Sequence, residues 1–357
     1  MLKPRIDYKA KALRRRNRFS YSVGIIGLLL ITFSYYFYQV FFTPNVETKG
    51  QPTYVLVRRG QSAKSVLDSI DATGVIVDKL SLHFVARIMK YEQLVKPGRY
   101  ELQNGYTNRQ LINALRTGRQ SPLKLTFQNI RLRQDLARKL STAIDSRPGE
   151  FDSLLSSPGY TRGLGFDTTS ILTMFIPNTY ELYWNSSSAS LMQRMKKEYE
   201  KFWTPARDAK RSTLNLTRAE ASTLASIVEA EQQQHADERP RVAGVYLNRL
   251  RRNMKLQADP TVVYANNDFT IKRVLNVHLT KDSPYNTYKY GGLPPGPINL
   301  PSIASIDAVL NPETHDYLYF CAKEDFSGYH AFARNEQEHL VNARRYQAAL
   351  TRSGIMK

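Results

Sequence analysis

The residues with the greatest chemical capacity lie between Leu224 and Pro295. Leu224-Ala-Ser-Ile-Val-Glu229-Ala-Glu231 carries two acids, and Asn248, Gln257, Asp259, Asn286 and Thr287 add hydrogen-bonding groups. Tyr285 and Tyr288 contribute flat aromatic surface, and Gly291-Gly-Leu-Pro-Pro-Gly296 enforces a rigid loop. Sugars have polar edges and apolar faces, so this mixture suits a sugar-handling cleft. A carboxyl kept partly buried there has a raised pKa, stays protonated and can serve as a general acid.

The element that must position the acids is a helix. Thr217-Arg-Ala-Glu220 is a capping box, so the helix begins at Arg218. At about 100° per residue, Leu224, Ile227 and Val228 form its apolar stripe, and Glu231 falls within that stripe. Glu229 points elsewhere, with Ser222, Ala225 and Ser226, and roughly 200° separates the two acids. They cannot act as a pair on one face. A face of small residues leaves room for a substrate beside Glu229, which makes Glu229 the candidate acid. Periodicity alone fits equally a solvated acid and a neighbour paired with an arginine of the next helix. Asp237 is the expected cap of that next helix, which carries Val242, Val245, Tyr246 and Leu250 inward and Asn248 and Arg249 near its end. The amide of Asn248 suits an acetamido or hydroxyl group. Gln257-Ala-Asp259-Pro260 reads as extended chain entering a turn.

The remaining elements divide the chain into parts. Residues 1–19 form a basic tail, in which Lys3, Arg5, Lys9, Lys11, Arg14, Arg15, Arg16 and Arg18 stand against Asp7. Residues 20–42 contain no charge, and 23 residues of helix reach roughly 35 Å, enough to cross a bilayer. Basic residues before the span and aromatics at its far end predict a single-pass anchor with a cytoplasmic N-terminus. No small-x-small cleavage site follows the span. Residues 43–52 read as a tether. Residues 53–120 read as a small α+β domain: strands at Tyr54–Val57 and Arg99–Leu102, and helices bearing Val66-Leu67-Ile70, Leu80-Phe84-Ile88 and Leu111-Ile112-Leu115. Residues 121–210 connect, with Ser146 to Thr169 loop around a short helix, and residues 211–357 form a larger α+β core with a hairpin at Leu318–Ala322 and His330–Phe332 and a final helix bearing Leu340 and Tyr346.

The chain's 357 residues carry a formal charge of +20, of which the tail accounts for a third. Such a balance suits an anionic partner, and a domain exported across a membrane meets an acidic polymer or lipid rather than nucleic acid. One cysteine, Cys321, excludes an intrachain disulfide and a cysteine metal cluster, and beside Tyr319 and Phe320 it reads as a small core residue. The six histidines are scattered without metal-site spacing, and there is no phosphate loop or nucleophile elbow, so neither a metal nor another cofactor is expected.

At Ala225-Ser-Ile-Val-Glu229, Asn248-Arg249-Leu250, Leu256-Gln257-Ala-Asp259-Pro-Thr261, Tyr285-Asn286-Thr287-Tyr288 and Gly292-Leu-Pro-Pro-Gly296-Pro-Ile298, the sequence resembles the endolytic murein transglycosylases of the MltG (YceG-like) family. The resemblance implies an inner-membrane enzyme with a LysM-like domain and an extracytoplasmic catalytic domain. Such an enzyme cuts peptidoglycan glycan strands between N-acetylmuramic acid and N-acetylglucosamine, leaves 1,6-anhydro ends and works beside peptidoglycan synthases. Glu229 matches the catalytic glutamate, and Asn248, Gln257, Asp259, Asn286, Thr287 and Tyr288 match cleft positions. Pro177-Asn178-Thr179-Tyr180 departs from the pattern, with Asn178 where an aspartate is expected. The alternatives are a non-catalytic wall-binding scaffold and a hydrolase using Glu229 with Asp259.

Overall fold

A computed structural model describes residues 8–128 and 130–354; residues 1–7 of the basic tail and residues 355–357 lie outside the described residues. The fold is mixed helix and strand, and the chain divides into two compact units. The first comprises residues 1–123 with 183–185, the second residues 124–182 with 186–357.

The first unit begins with α1 (Tyr8–Phe42), which is long and apolar enough to cross a membrane over Arg15–Phe42. β1 (Tyr54–Val57) pairs antiparallel with β2 (Gly98–Glu101), Tyr54 opposite Glu101 and Val57 opposite Gly98. Between and after them come α2 (Ala63–Ala72), α3 (Lys79–Ile88) and α4 (Asn108–Thr117). Each helix starts where a side chain satisfies an orphan amide: Ser62, Asp78 and Thr107 accept from Ser65, Ser81 and Gln110. Their apolar faces meet over the strands, and Val66, Ile70, Ile112 and Leu115 are fully buried. Each such side chain contributes at most about 1.5–3 kcal/mol.

Two expectations fail in this unit. Residues 43–52 are not a loose tether at their start: Val46 pairs with Ile76, Pro44 pairs with Thr107, and Asn45 and Val46 are buried. The stripe Leu80-Phe84-Ile88 faces outward, and α3 buries Ser81, Leu82, Val85 and Ala86 instead. The helix is apolar on both faces, so periodicity could not choose between them.

The second unit opens with β3 (Leu123–Thr126), which pairs with β4 (Thr179–Leu182). Between them lie α5 (Arg133–Ala143), α6 (Glu150–Ser156) and α7 (Pro158–Gly163), so the stretch expected to be loop around one short helix holds two. α8 (Ser188–Phe202) and α9 (Pro205–Thr213) lead to α10 (Arg218–Glu231) and α11 (Arg239–Arg251). α12 (Asp259–Asn266), α13 (Asn276–Leu279) and α14 (Ile303–Leu310) follow. The hairpin β5 (Tyr319–Ala322) and β6 (His330–Ala333) pairs Tyr319 with Ala333, and α15 (Glu336–Arg352) closes the chain.

α10 is the buried centre of this unit. Every residue from Ala221 to Val228 is buried, and α10 packs against α11, α12 and α14. Close approach depends on small residues. A Cβ on Gly244 of α11 would lie 2.7 Å from the Glu313 carbonyl, so only glycine lets that helix reach the segment before β5.

Candidate active site

Thr217 and Glu220 form the expected capping box, Thr217 Oγ1 accepting the Glu220 amide at 3.1 Å and Glu220 Oε2 the Thr217 amide at 2.7 Å. The helix so fixed delivers Glu229 and Glu231 from its last turn to different surroundings.

Glu229 meets α14. Its Oε2 accepts the backbone N–H of Ser302 at 2.8 Å, the Ser305 hydroxyl at 2.6 Å and the Ser302 hydroxyl, with Arg239 Nη1 at 3.8 Å. Ser302 caps α14, so the carboxylate also faces the positive end of that helix. The small residues beside it serve packing. Ser222, Ala225 and Ser226 are buried, and Ser226 takes the Ile298 amide on its hydroxyl and the Asn299 side chain on its carbonyl. Those bonds fasten the Gly-Pro loop to α10. Gly296 is required within it, since a Cβ there would stand 2.2 Å from the Thr169 carbonyl oxygen. The space expected for a substrate is filled by α14 and this loop.

Glu231 meets an open cleft of about 270 Å³. Its Oε1 accepts the Tyr246 hydroxyl at 2.7 Å. Burial pushes this carboxyl up to about 7; the Tyr246 hydrogen bond opposes the rise and the charge of Asp259 adds to it. Asp259, the first residue of α12, shares the cleft and accepts the Tyr288 hydroxyl at 2.6 Å. Burial and the Asp259 charge keep that phenol protonated.

Gln257 also lines the cleft. Its backbone sits in the left-handed region, φ +50°, held by an N–H bond to the Thr287 carbonyl at 3.2 Å. The neighbouring Ala258 is extended as expected, but the chain turns at Asp259 directly into α12 with Pro260 in its first turn. Arg249 is buried beneath. It donates to the carbonyls of Leu318 at 2.6 Å and Leu256 at 2.8 Å and to Gln257 Oε1 at 3.2 Å, so it braces the cleft wall.

The hairpin supplies the opposite wall through Phe320, Cys321 and His330. His330 Nδ1 lies 2.7 Å from Glu238 Oε2. Burial alone would raise Glu238, but hydrogen bonds from the His330 ring and backbone and from Gln232 hold it below the usual carboxylate range. Cys321 is a wall residue rather than a core one, and burial raises its thiol, which disfavours a nucleophilic thiolate.

The expected site residues therefore separate. Gln257, Asp259 and Tyr288 share the cleft with Glu231. Asn248 is a splice, its amide donating to the His315 and Tyr317 carbonyls at 2.7 and 3.1 Å. Asn286 is fully buried, donating to the Leu279 and Lys281 carbonyls, and Thr287 is buried against Thr261 and the Ala258 amide. Tyr285 packs at a tilt against Tyr264, ring centroids 4.6 Å apart. Asn178 accepts its neighbour Thr179's amide at the start of β4. Asp237 lies in a 3₁₀ turn before α11 and does not cap it. Glu231 was passed over as the acid despite a visible signal: an ionisable group on the apolar stripe of a helix. Tyr246 and the hairpin residues had none.

The YceG-like family model matches residues 55–345 of the chain. The chain belongs to the YceG-like family. Over 319 residues it is 28% identical to the endolytic murein transglycosylase of Streptococcus pneumoniae strain D39, covering 80% of this chain and 57% of that protein. Over 124 residues it is 45% identical to the endolytic murein transglycosylase of Bacillus subtilis, covering 35% of this chain and 33% of that protein. This YceG-like chain thus spans about a third to somewhat over half of the length of these curated relatives. A crystal structure of a YceG-like protein from Listeria monocytogenes superposes with TM-score 0.53 at 26% identity, covering 82% of this chain and 99% of that one.

Proposed function

We propose that the protein is a membrane-anchored endolytic lytic transglycosylase acting on peptidoglycan glycan strands, with Glu231 rather than Glu229 as its acid–base. The observation that carries the reading is Glu231 itself, a carboxyl at a cleft wall with a pKa raised to about 7. The names of the relatives supply the substrate class. Glu231 then protonates the glycosidic oxygen between N-acetylmuramic acid and N-acetylglucosamine as the C1–O bond breaks. The resulting carboxylate takes the proton from the muramyl C6 hydroxyl, whose oxygen bonds to C1. The products are a 1,6-anhydro end and a free 4-hydroxyl, and no water is consumed. A single carboxyl suffices for both proton transfers, with general acid–base help worth about 10²–10⁴-fold.

Tyr246 occupies one carboxyl oxygen and fixes its direction, which leaves the other for the substrate. Asp259, with Tyr288, supplies negative charge for the cation developing at C1 and a hydroxyl for sugar contacts. The first unit fits a LysM-like wall-binding role. α1 fits a single-pass inner-membrane anchor with the cytoplasmic tail before it and both units outside. In that position the enzyme would end strand elongation beside the synthases.

The test is a digest of glycan strands by the full-length protein in detergent, read by mass spectrometry. Anhydro-ended fragments from the wild type and from Glu229→Gln, and none from Glu231→Gln, are expected. Fragments from Glu231→Gln would overturn the assignment, and labelled oxygen from water in the new ends would mean hydrolysis with Asp259 as the second carboxylate.

A further inference from the structure

α3 in the first unit is apolar on two sides. Its inner face, Leu82, Val85 and Ala86, belongs to the core. Its outer face carries Leu80, 85% exposed, Ile88, 54%, and Phe84, 43%, with Val77 just before it at 68%. Leu80, Phe84 and Ile88 sit four apart, so they form one ridge about 12 Å long that Val77 extends at its start. Lys79, Arg87 and Lys90, all exposed, flank it. Of the nearby acids, Asp78 caps the helix by accepting the Ser81 amide at 3.1 Å, Asp71 is taken by His83 at 2.8 Å, and Glu92 follows the ridge.

The ridge is tied to the end of the apolar helix. Val40 and Phe41, in the last turn of α1, are buried in the same core as the inner face of α3. Asn45 brackets the α3 cap, donating to the Asp78 carbonyl at 2.8 Å and accepting the Asp78 amide at 2.7 Å, while its own carbonyl takes the Val77 amide at 3.1 Å. Asn108 joins the Val40 carbonyl to the Ser81 hydroxyl, both at 2.9 Å. The start of the ridge is therefore pinned where the span ends, at the level of exposed Tyr38 and Phe42. An apolar ridge edged by basic residues is the composition of a helix that lies in the headgroup region of a bilayer.

We infer that Val77, Leu80, Phe84 and Ile88 form a membrane-docking face, seated in the outer leaflet with Lys79, Arg87 and Lys90 on anionic phospholipid headgroups. The face holds the first unit on the bilayer surface and makes α1 and α3 a two-point attachment. The inference rests on the reading of α1 as a membrane anchor.

Tryptophan depth measurements test it in the full-length chain. Leu80→Trp, Phe84→Trp, Lys64→Trp and Leu28→Trp are each reconstituted in nanodiscs containing phosphatidylglycerol, with lipids brominated near the headgroup or deep in the chain. The two native tryptophans, Trp184 and Trp203, are buried and give a constant background. Leu28→Trp quenched by deep bromines reports the span itself, and its failure would strike the anchor reading and, with it, the docking face. With the span confirmed, Leu80→Trp and Phe84→Trp should be quenched by headgroup-level bromines at least threefold more than Lys64→Trp, an exposed site on α2. The difference should shrink when phosphatidylglycerol is replaced by phosphatidylcholine. Equal access of acrylamide to positions 80, 84 and 64 would overturn the proposal. So would protection that appears only when two copies share a disc, which would assign the ridge to a second chain.

Discussion

The Tyr246 hydroxyl donates to Glu231 Oε1 across 2.7 Å, joining the last turn of α10 to the middle of α11. The bond orients a carboxyl whose pKa burial raises, whereas Glu229 of the same helix turn is fastened to Ser302 and Ser305.

Exchanging each acid for its amide should expose that division. Glu231→Gln should lower glycan cleavage by about 10²–10⁴-fold, with a melting temperature no lower than wild type. Glu229→Gln should retain activity within about tenfold. It should cost roughly 1–3 kcal/mol of stability, because Arg239 and the Ser302 amide lose a charged partner. Strand digests and thermal melts on the same samples check both.

The pH dependence follows from the direction of the Glu231 shift. Below the ordinary carboxyl value of 4.5 the residue is protonated folded or unfolded. Between 4.5 and about 7 only the unfolded chain releases the proton, so stability falls as pH rises through this window and levels off above it. Glu231→Gln removes that fall, and its stability relative to wild type should rise by on the order of 2–3 kcal/mol across the window. Cleavage requires the protonated acid, so kcat/KM should decline as pH rises past about 7. Denaturant melts and initial rates at several pH values measure the two effects.

Gln257 is a site of strain beside the chemistry. Gln257→Gly should raise stability by about 0.5–1 kcal/mol by relieving the left-handed backbone. It should lower kcat/KM, since the side chain that lines the cleft and meets Arg249 is removed. A gain in activity would refute a substrate role for this residue.

Gly296→Ala should destabilise the second unit by about 2 kcal/mol or more, because the new methyl meets backbone oxygen that cannot step aside. The loss should appear as a lower melting temperature.

Much of this architecture was legible because caps and turns write themselves locally. Thr217 and Glu220 announced α10, and the short apolar runs Leu318–Ala322 and His330–Phe332 announced the hairpin. The acid was harder. Small residues beside Glu229 look alike whether they admit a sugar or another helix, and only the arrival of α14 and the Gly-Pro loop decides. Asn248, Asn286 and Thr287 misled for a related reason: a polar group that could hold a substrate can equally hold the chain itself, and here the two amides bind backbone carbonyls while the Thr287 hydroxyl takes the Ala258 amide. Glu231 shows the converse. A carboxyl on an apolar stripe breaks the pattern of its helix, and such breaks mark functional positions. The outward ridge of α3 was invisible because a helix apolar on both sides gives periodicity no face to prefer.

The join between α1 and the first unit has a mechanical consequence. Val40 and Phe41 are core residues, and Asn45 and Asn108 clasp the turn that follows. Spacer residues added after Phe42 would not give a longer leash; they would pull two plugs out of a folded interior. With α1 embedded as proposed, height above the lipid is thus built into the fold of the first unit, and twisting of the rod would be handed straight to it.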